Sequence, residues 1–225
     1  MNSLSKRALA GVARFCLTLW LCLFLPAWSL RFWQAWLYWI VFTGSTVAVT
    51  VYFMEHDPGL IDRRLAAGAG AEQRKSQKII QGVLSVFFLV LMIIPGLDHR
   101  FHWSAVPDAV VLIADALCVI AMVIIFVVFR ENSFAAATIK VEEQQRVIST
   151  GPYRIVRHPM YAAATLLLLA TPLALGSVPD LVIGVVLVCG LIVRLLDEEK
   201  FLSANLPGYL DYCCKVRYRL SPGIW

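Results

Sequence analysis

With 225 residues, of which 60% are hydrophobic and only 16% charged, the chain is too apolar for an ordinary soluble domain, where about a quarter of residues carry charge. Its net charge of +5 is carried by connections between apolar runs, so a membrane surface is its natural partner and nucleic acid is not. Its six cysteines give no disulfide framework: four lie in apolar runs and Cys213-Cys214 are adjacent. No metal is expected either, because C-x-x-C and paired-histidine spacings are missing and His99 and His102 lack a third partner.

Each helical crossing of a ~30 Å hydrocarbon layer takes about 20 apolar residues. Residues 8–30, 33–54, 79–97 and 106–129 meet that length. The first run follows Lys6, Arg7 and Arg14 but is too long for a signal peptide and lacks a small-x-small cleavage site, so it reads as a retained span. Residues 161–175 and 181–196 are shorter and separated by Gly176-Ser177-Val178-Pro179-Asp180, a helical hairpin. The fold class is therefore an all-α integral membrane protein of about six transmembrane helices, a single domain over residues 1–225 with a catalytic core at about 130–225. In that arrangement every lysine and arginine except Arg31 and Arg100 falls on one side, which places both termini and the Arg157 region in the cytoplasm. Trp28, Trp33, Trp36 and Trp103 then sit near the opposite interface.

Two connections on the basic side are long. Residues 55–78 open with the turn Asp57-Pro58-Gly59 and mix basic residues with Leu60, Ile61 and Leu65, the pattern of an amphipathic segment lying on anionic lipid. Residues 130–159 end in I-S-T-G-P-Y-R-I-V-R-H-P, where polar chemistry collects beside the bilayer. The residue before a proline is pushed out of the helical region, and proline is favoured at the first helical position. His158 is thus expected to be extended and Pro159 to open the fifth span, with its N-terminus able to receive an anion. From local chemistry alone, Arg154 and Arg157 serve equally well as lipid-headgroup contacts with His158 capping the helix. In Arg194-Leu195-Leu196-Asp197-Glu198-Glu199, Arg194 and Glu198 share a helix face and can pair. Snorkelling to the interface is the structural explanation of Arg194; a carboxylate clamp is the functional one.

The order R-H-P-x-Y (Arg157, His158, Pro159, Tyr161), an apolar hairpin, then Glu198-Glu199 resembles the signature of the isoprenylcysteine carboxyl methyltransferase and phospholipid methyltransferase family. Val147–Tyr153 upstream and Leu202, Gly208, Tyr209 and Tyr212 downstream fit it too. One position departs: Ala163 stands where the family has glycine. The resemblance implies an integral membrane enzyme using S-adenosyl-L-methionine at a cytoplasmic pocket, in a bacterial inner membrane or the endoplasmic reticulum. It implies cofactor contacts from Gln145, Val147, Ile148, Tyr153, His158, Pro159, Tyr161 and Glu198. Arg194, as both the catalytic and the substrate-binding residue, would clamp the acceptor, a lipidic or prenylated carboxylate entering from the bilayer. Methylation of a phospholipid amine or a small thiol is the alternative within the family. Outside it stand a membrane sterol-type reductase and a small transporter or scaffold; polar residues gathered at one face argue against transport.

Overall fold

Apolar runs in this chain become long helices because a backbone in hydrocarbon must satisfy its own hydrogen bonds. The computed structural model describes residues 3–65, 70, 72, 74–134 and 146–225. Among them eight α-helices follow in order: α1 (Ser3–Ala27), α2 (Trp33–His56), α3 (Pro58–Leu65), α4 (Lys75–Phe101), α5 (Asp108–Glu131), α6 (Pro159–Ala174), α7 (Leu181–Asn205) and α8 (Tyr209–Lys215). A 3-10 turn, Gly151–Arg154, precedes α6. Helices α1, α2, α4 and α5 are long and apolar enough to cross a membrane, and α6 is a shorter apolar helix. Leucines, isoleucines and valines such as Leu17, Ile40, Val86 and Ile113 point outward and are exposed, as a lipid-facing surface requires.

The helices pack as α1 on α4, α2 on α5, α5 on α6, and α7 on both α4 and α6. Small residues permit the closest approaches. A Cβ added at Gly96 would lie 2.6 Å from the Leu23 carbonyl oxygen, and one at Gly184 would lie 2.8 Å from that of Leu168. The main core gathers Leu19, Leu23, Phe24, Tyr38, Phe42, Leu91, Met92, Cys118 and Leu187. At the Trp103 end, buried Asp98 accepts from the Ser104 backbone and hydroxyl (2.8 and 2.7 Å) and from Ser177 (2.6 Å). That carboxylate fixes the α6–α7 turn against α4.

The connection after α2 departs from the amphipathic reading. Leu60 and Ile61 of α3 are buried with Ala8, Phe53 and Phe129, so its apolar side packs on protein instead of lying on lipid. The cause is geometric: Asp57 accepts from the Leu60 N–H at 3.0 Å and turns the chain directly under α1 and α5. Trp36 is half-buried, packing on Phe24 at 4.6 Å and donating to the Leu30 carbonyl, while Trp28, Trp33 and Trp103 are exposed.

Replacing Gly96 by alanine forces α1 and α4 apart at a backbone contact and is expected to destabilise the protein by about 1–3 kcal/mol. Gly44→Ala, where nothing lies within 4 Å, should leave stability unchanged or raise it. Denaturant unfolding in detergent separates the two.

Candidate functional site

The functional end of the molecule is built on one carboxylate. Glu199 is buried near the end of α7 and receives Arg157 (Nε, 3.0 Å), His158 (Nε2, 3.2 Å) and Arg219 (Nε, 2.7 Å). Backbone bonds complete the join, with the Arg157 and His158 N–H groups donating to the carbonyls of Tyr218 and Arg219 at 2.9 and 3.0 Å. The segment before α6, the end of α7 and the C-terminal tail are thereby one unit. Burial alone would raise the Glu199 carboxyl, but the hydrogen bonds from His158 and Arg219 and the charges of His158 and Arg157 hold it down at about 2.

His158 is non-helical (φ −125°, ψ 64°) and Pro159 is the first residue of α6, as the pre-proline rule requires. His158 makes no side-chain cap; its ring bonds Glu199 instead, and Arg157 pairs with Glu199 rather than reaching for headgroups. The adjacent acids divide their work. Glu198 lies one residue back on α7 and accepts from the Tyr161 hydroxyl at 2.5 Å.

Tyr153 stands on the 3-10 turn. Gly151 holds φ +54° there, and a Cβ on it would strike the Glu131 side chain at 2.9 Å. Thr150 donates to Glu131, Asn132 donates to the Tyr153 hydroxyl (2.9 Å), and Tyr212 donates to the Tyr153 carbonyl (2.8 Å). Burial pushes the Tyr153 hydroxyl up to about 12, so at neutral pH it is a hydrogen-bonding group and not an acid.

These side chains surround a cavity of about 490 Å³, within the ~300–1,000 Å³ of small-molecule sites. Val147, Ile148, Tyr153, His158, Pro159, Tyr161, Arg194 and Glu198 all line it; Gln145 lies outside the described residues. Leu84, Phe88, Ala164, Leu168, Leu187 and Leu191 extend it as an apolar arm between α4, α6 and α7. Leu187 and Arg194 are seven residues apart, so the arm runs roughly 10 Å into the apolar zone at 1.5 Å per residue. Ala163 is fully buried but Ala164 is the lining residue, so the methyl at 163 meets neighbouring helices and not the cavity.

Arg194 differs from the snorkelling reading. It is buried, donating to Glu72 (2.6 Å) and Gln77 (3.0 Å) and interacting with Tyr161, while Glu198 receives Tyr161. Glu72, Gln77, Asn132 and Arg219 are therefore parts of the site that sequence reasoning did not single out, while Tyr209, named there only as fitting the resemblance, lines the cavity. Glu72, among polar neighbours in the sequence, reads as a solvated acid, and only its tertiary contact with Arg194 reveals otherwise.

Glu199→Gln leaves two arginines facing a neutral group and should cost about 3 kcal/mol, as breaking a buried ion pair does. A depressed carboxyl stabilises fully above its unfolded value. The Glu199 contribution should thus be intact at neutral pH and be lost as pH falls from the ordinary carboxylate range through about 2. Unfolding midpoints across that range, compared between wild type and Glu199→Gln, measure it; the variant should lack this component of the acid loss.

Among known proteins, no curated sequence matches the chain. A family model described as phospholipid methyltransferase matches residues 109–207, which take in nearly all of α5, the 3-10 turn, α6 and all of α7, with His158, Tyr161, Arg194, Glu198 and Glu199. Glu72, Gln77 and the tail residue Arg219 fall outside the match. Over residues 109–207, a little under half of its length, the chain is therefore similar to the phospholipid methyltransferase family, which suggests membrane methyltransferase activity.

Proposed function

We propose that this protein transfers a methyl group from S-adenosyl-L-methionine to a lipidic carboxylate of the isoprenylcysteine type, at the cytoplasmic face of its membrane. The observation that carries the reading is the continuity of one cavity, polar at the mouth where Tyr161, Arg194 and Glu198 meet and apolar where it runs between α4, α6 and α7. A polar cofactor and a hydrophobic acceptor need those two environments side by side.

The residues present fit the cofactor. The Tyr209 hydroxyl, buried among the lining residues, has no hydrogen-bond partner among the described residues, and such a group ordinarily has one. Glu198 supplies an acceptor, and Val147, Ile148 and Tyr153 supply largely apolar wall. Val147, Ile148 and Tyr153 would hold the nucleoside end, and His158, Pro159, Tyr161 and Glu198 the polar groups. When bound, the cofactor supplies an electrophilic methyl on a positively charged sulfur. Tyrosine faces favour such a cation.

The chain's part in the reaction is alignment and exclusion of water. An acceptor carboxylate is already ionised at neutral pH, so no side chain need remove a proton. Arg194, held by Glu72 and Gln77, offers charge-assisted hydrogen bonds that fix the acceptor headgroup. The apolar arm receives the acceptor's hydrocarbon, which enters from the bilayer. A second reading, methylation of a phospholipid amine, is favoured by one feature: Arg194 already has a carboxylate partner in Glu72, and Glu198 stands close by as a proton acceptor.

Purified protein in lipid, given methyl-labelled S-adenosyl-L-methionine and N-acetyl-S-farnesylcysteine, should form product from which base releases volatile methanol; base-stable label on a phospholipid would favour the second reading. Glu198→Ala should weaken cofactor binding at least tenfold by calorimetry. Arg194→Lys should raise KM for the acceptor with little change in cofactor affinity. Undiminished cofactor binding by Glu198→Ala would contradict the site assignment.

A further inference from the structure

Resting on this cofactor reading, we propose that Glu72 is a specificity-determining residue: its carboxylate is the counter-charge that allows a sulfonium to bind beside Arg194. A guanidinium lining a cavity repels a second cation placed in that cavity. Arg194 lines it, is buried, and lies on the same helix one turn from Glu198. Without compensation the Arg194 charge would cancel that of Glu198 and leave nothing to favour a positively charged ligand. Glu72 removes that conflict.

The geometry is that of a fixed counter-ion. The Glu72 side chain is 1% exposed and its Oε1 lies 2.6 Å from Arg194 Nη2. Gln77, itself fully buried, accepts from Arg194 Nη1 at 3.0 Å through Oε1 and donates through Nε2 to Asp197. Its amide orientation is thus set by both neighbours. Asp197 in turn pairs with Arg74 at 3.0 Å, fastening the start of α4 to α7. Neither Glu72 nor Gln77 lines the cavity, so both act on Arg194 from behind and leave the cavity-facing chemistry to Arg194, Tyr161 and Glu198.

On the α7 side of the cavity Arg194 and Glu72 cancel and Glu198 remains, a single negative charge at that place, whereas the lining residues Arg64, Arg146 and Arg157 come from other segments and Arg157 is paired with Glu199. That matches a cofactor whose reacting sulfur is cationic. It also means that Arg194 acts on the acceptor mainly through its directed N–H groups. Glu72 and Gln77 lie outside the family-matched residues, so this counter-charge is supplied by the chain's own N-terminal half.

Two ligands of nearly the same shape separate charge from structure: S-adenosyl-L-methionine, with a sulfonium, and S-adenosylhomocysteine, with a neutral thioether. Calorimetry on the full-length protein in detergent gives both dissociation constants. Glu72→Gln keeps a hydrogen-bond acceptor for Arg194 and deletes the charge. It should weaken S-adenosyl-L-methionine at least tenfold and S-adenosylhomocysteine no more than about threefold. Glu72→Asp, which keeps the charge, should retain the wild-type ratio of the two constants. Equal weakening of both ligands by Glu72→Gln, or no change in either, overturns the proposal while leaving the cofactor assignment standing. Failure of the wild-type protein to bind either ligand overturns the cofactor assignment and this inference with it.

Discussion

A single buried carboxylate near the end of α7, Glu199, holds together the segments from which the cavity is made. It meets two arginines and a histidine drawn from two distant parts of the chain, and it does so near the boundary of an apolar helix bundle, where an unpaired charge is costly. Those contacts fix Arg157 and His158, and with them the point at which Pro159 starts α6. The direction of α6 then decides where Tyr161 meets Glu198. Neighbouring glutamates thus take opposite duties: Glu199 builds the wall and Glu198 faces the cavity.

Around that joint the molecule solves a solvent problem. On the proposed reading, a water-soluble cofactor and a hydrocarbon chain, which prefer different media, would each find its own in the cavity. Polar groups gather where α6, α7 and the 3-10 turn converge, and leucines with Phe88 line the arm between α4, α6 and α7. The glycine contacts shape this arm. Gly184 lets α7 lie against the Leu168 carbonyl and Gly190 lets Leu84 approach, so the helices close on each other beside the arm. At the opposite end of the bundle, Asp98 holds the α6–α7 turn, so the hairpin is fixed at both ends by a buried acid.

Much of this was legible in the chain itself. Span lengths follow from apolar run length, and the start of α6 follows from His158-Pro159, because these are local rules with few competitors. Lining residues from Val147 to Glu198 could be named because the R-H-P-x-Y and E-E pattern marks them. Partners across the fold could not be read this way. Helix spacing put Glu198 one turn from Arg194, yet the guanidinium reaches Glu72 from another connection. The stretch 55–78 has the composition of a surface segment, and nothing local says that Leu60 is fully buried or that Gln77 spans Arg194 and Asp197. Pairing of charges over more than a hundred residues is a property of the packed bundle, invisible to periodicity.

Irradiating the protein with radiolabelled S-adenosyl-L-methionine and mapping the labelled peptides tests the central claim most directly, because the cofactor then reports its own neighbours. Label on peptides spanning residues 146–161 and 198–212 is the predicted result. Label confined to the opposite end of the bundle, around Asp98 to Pro107 or the α6–α7 turn, would contradict the account.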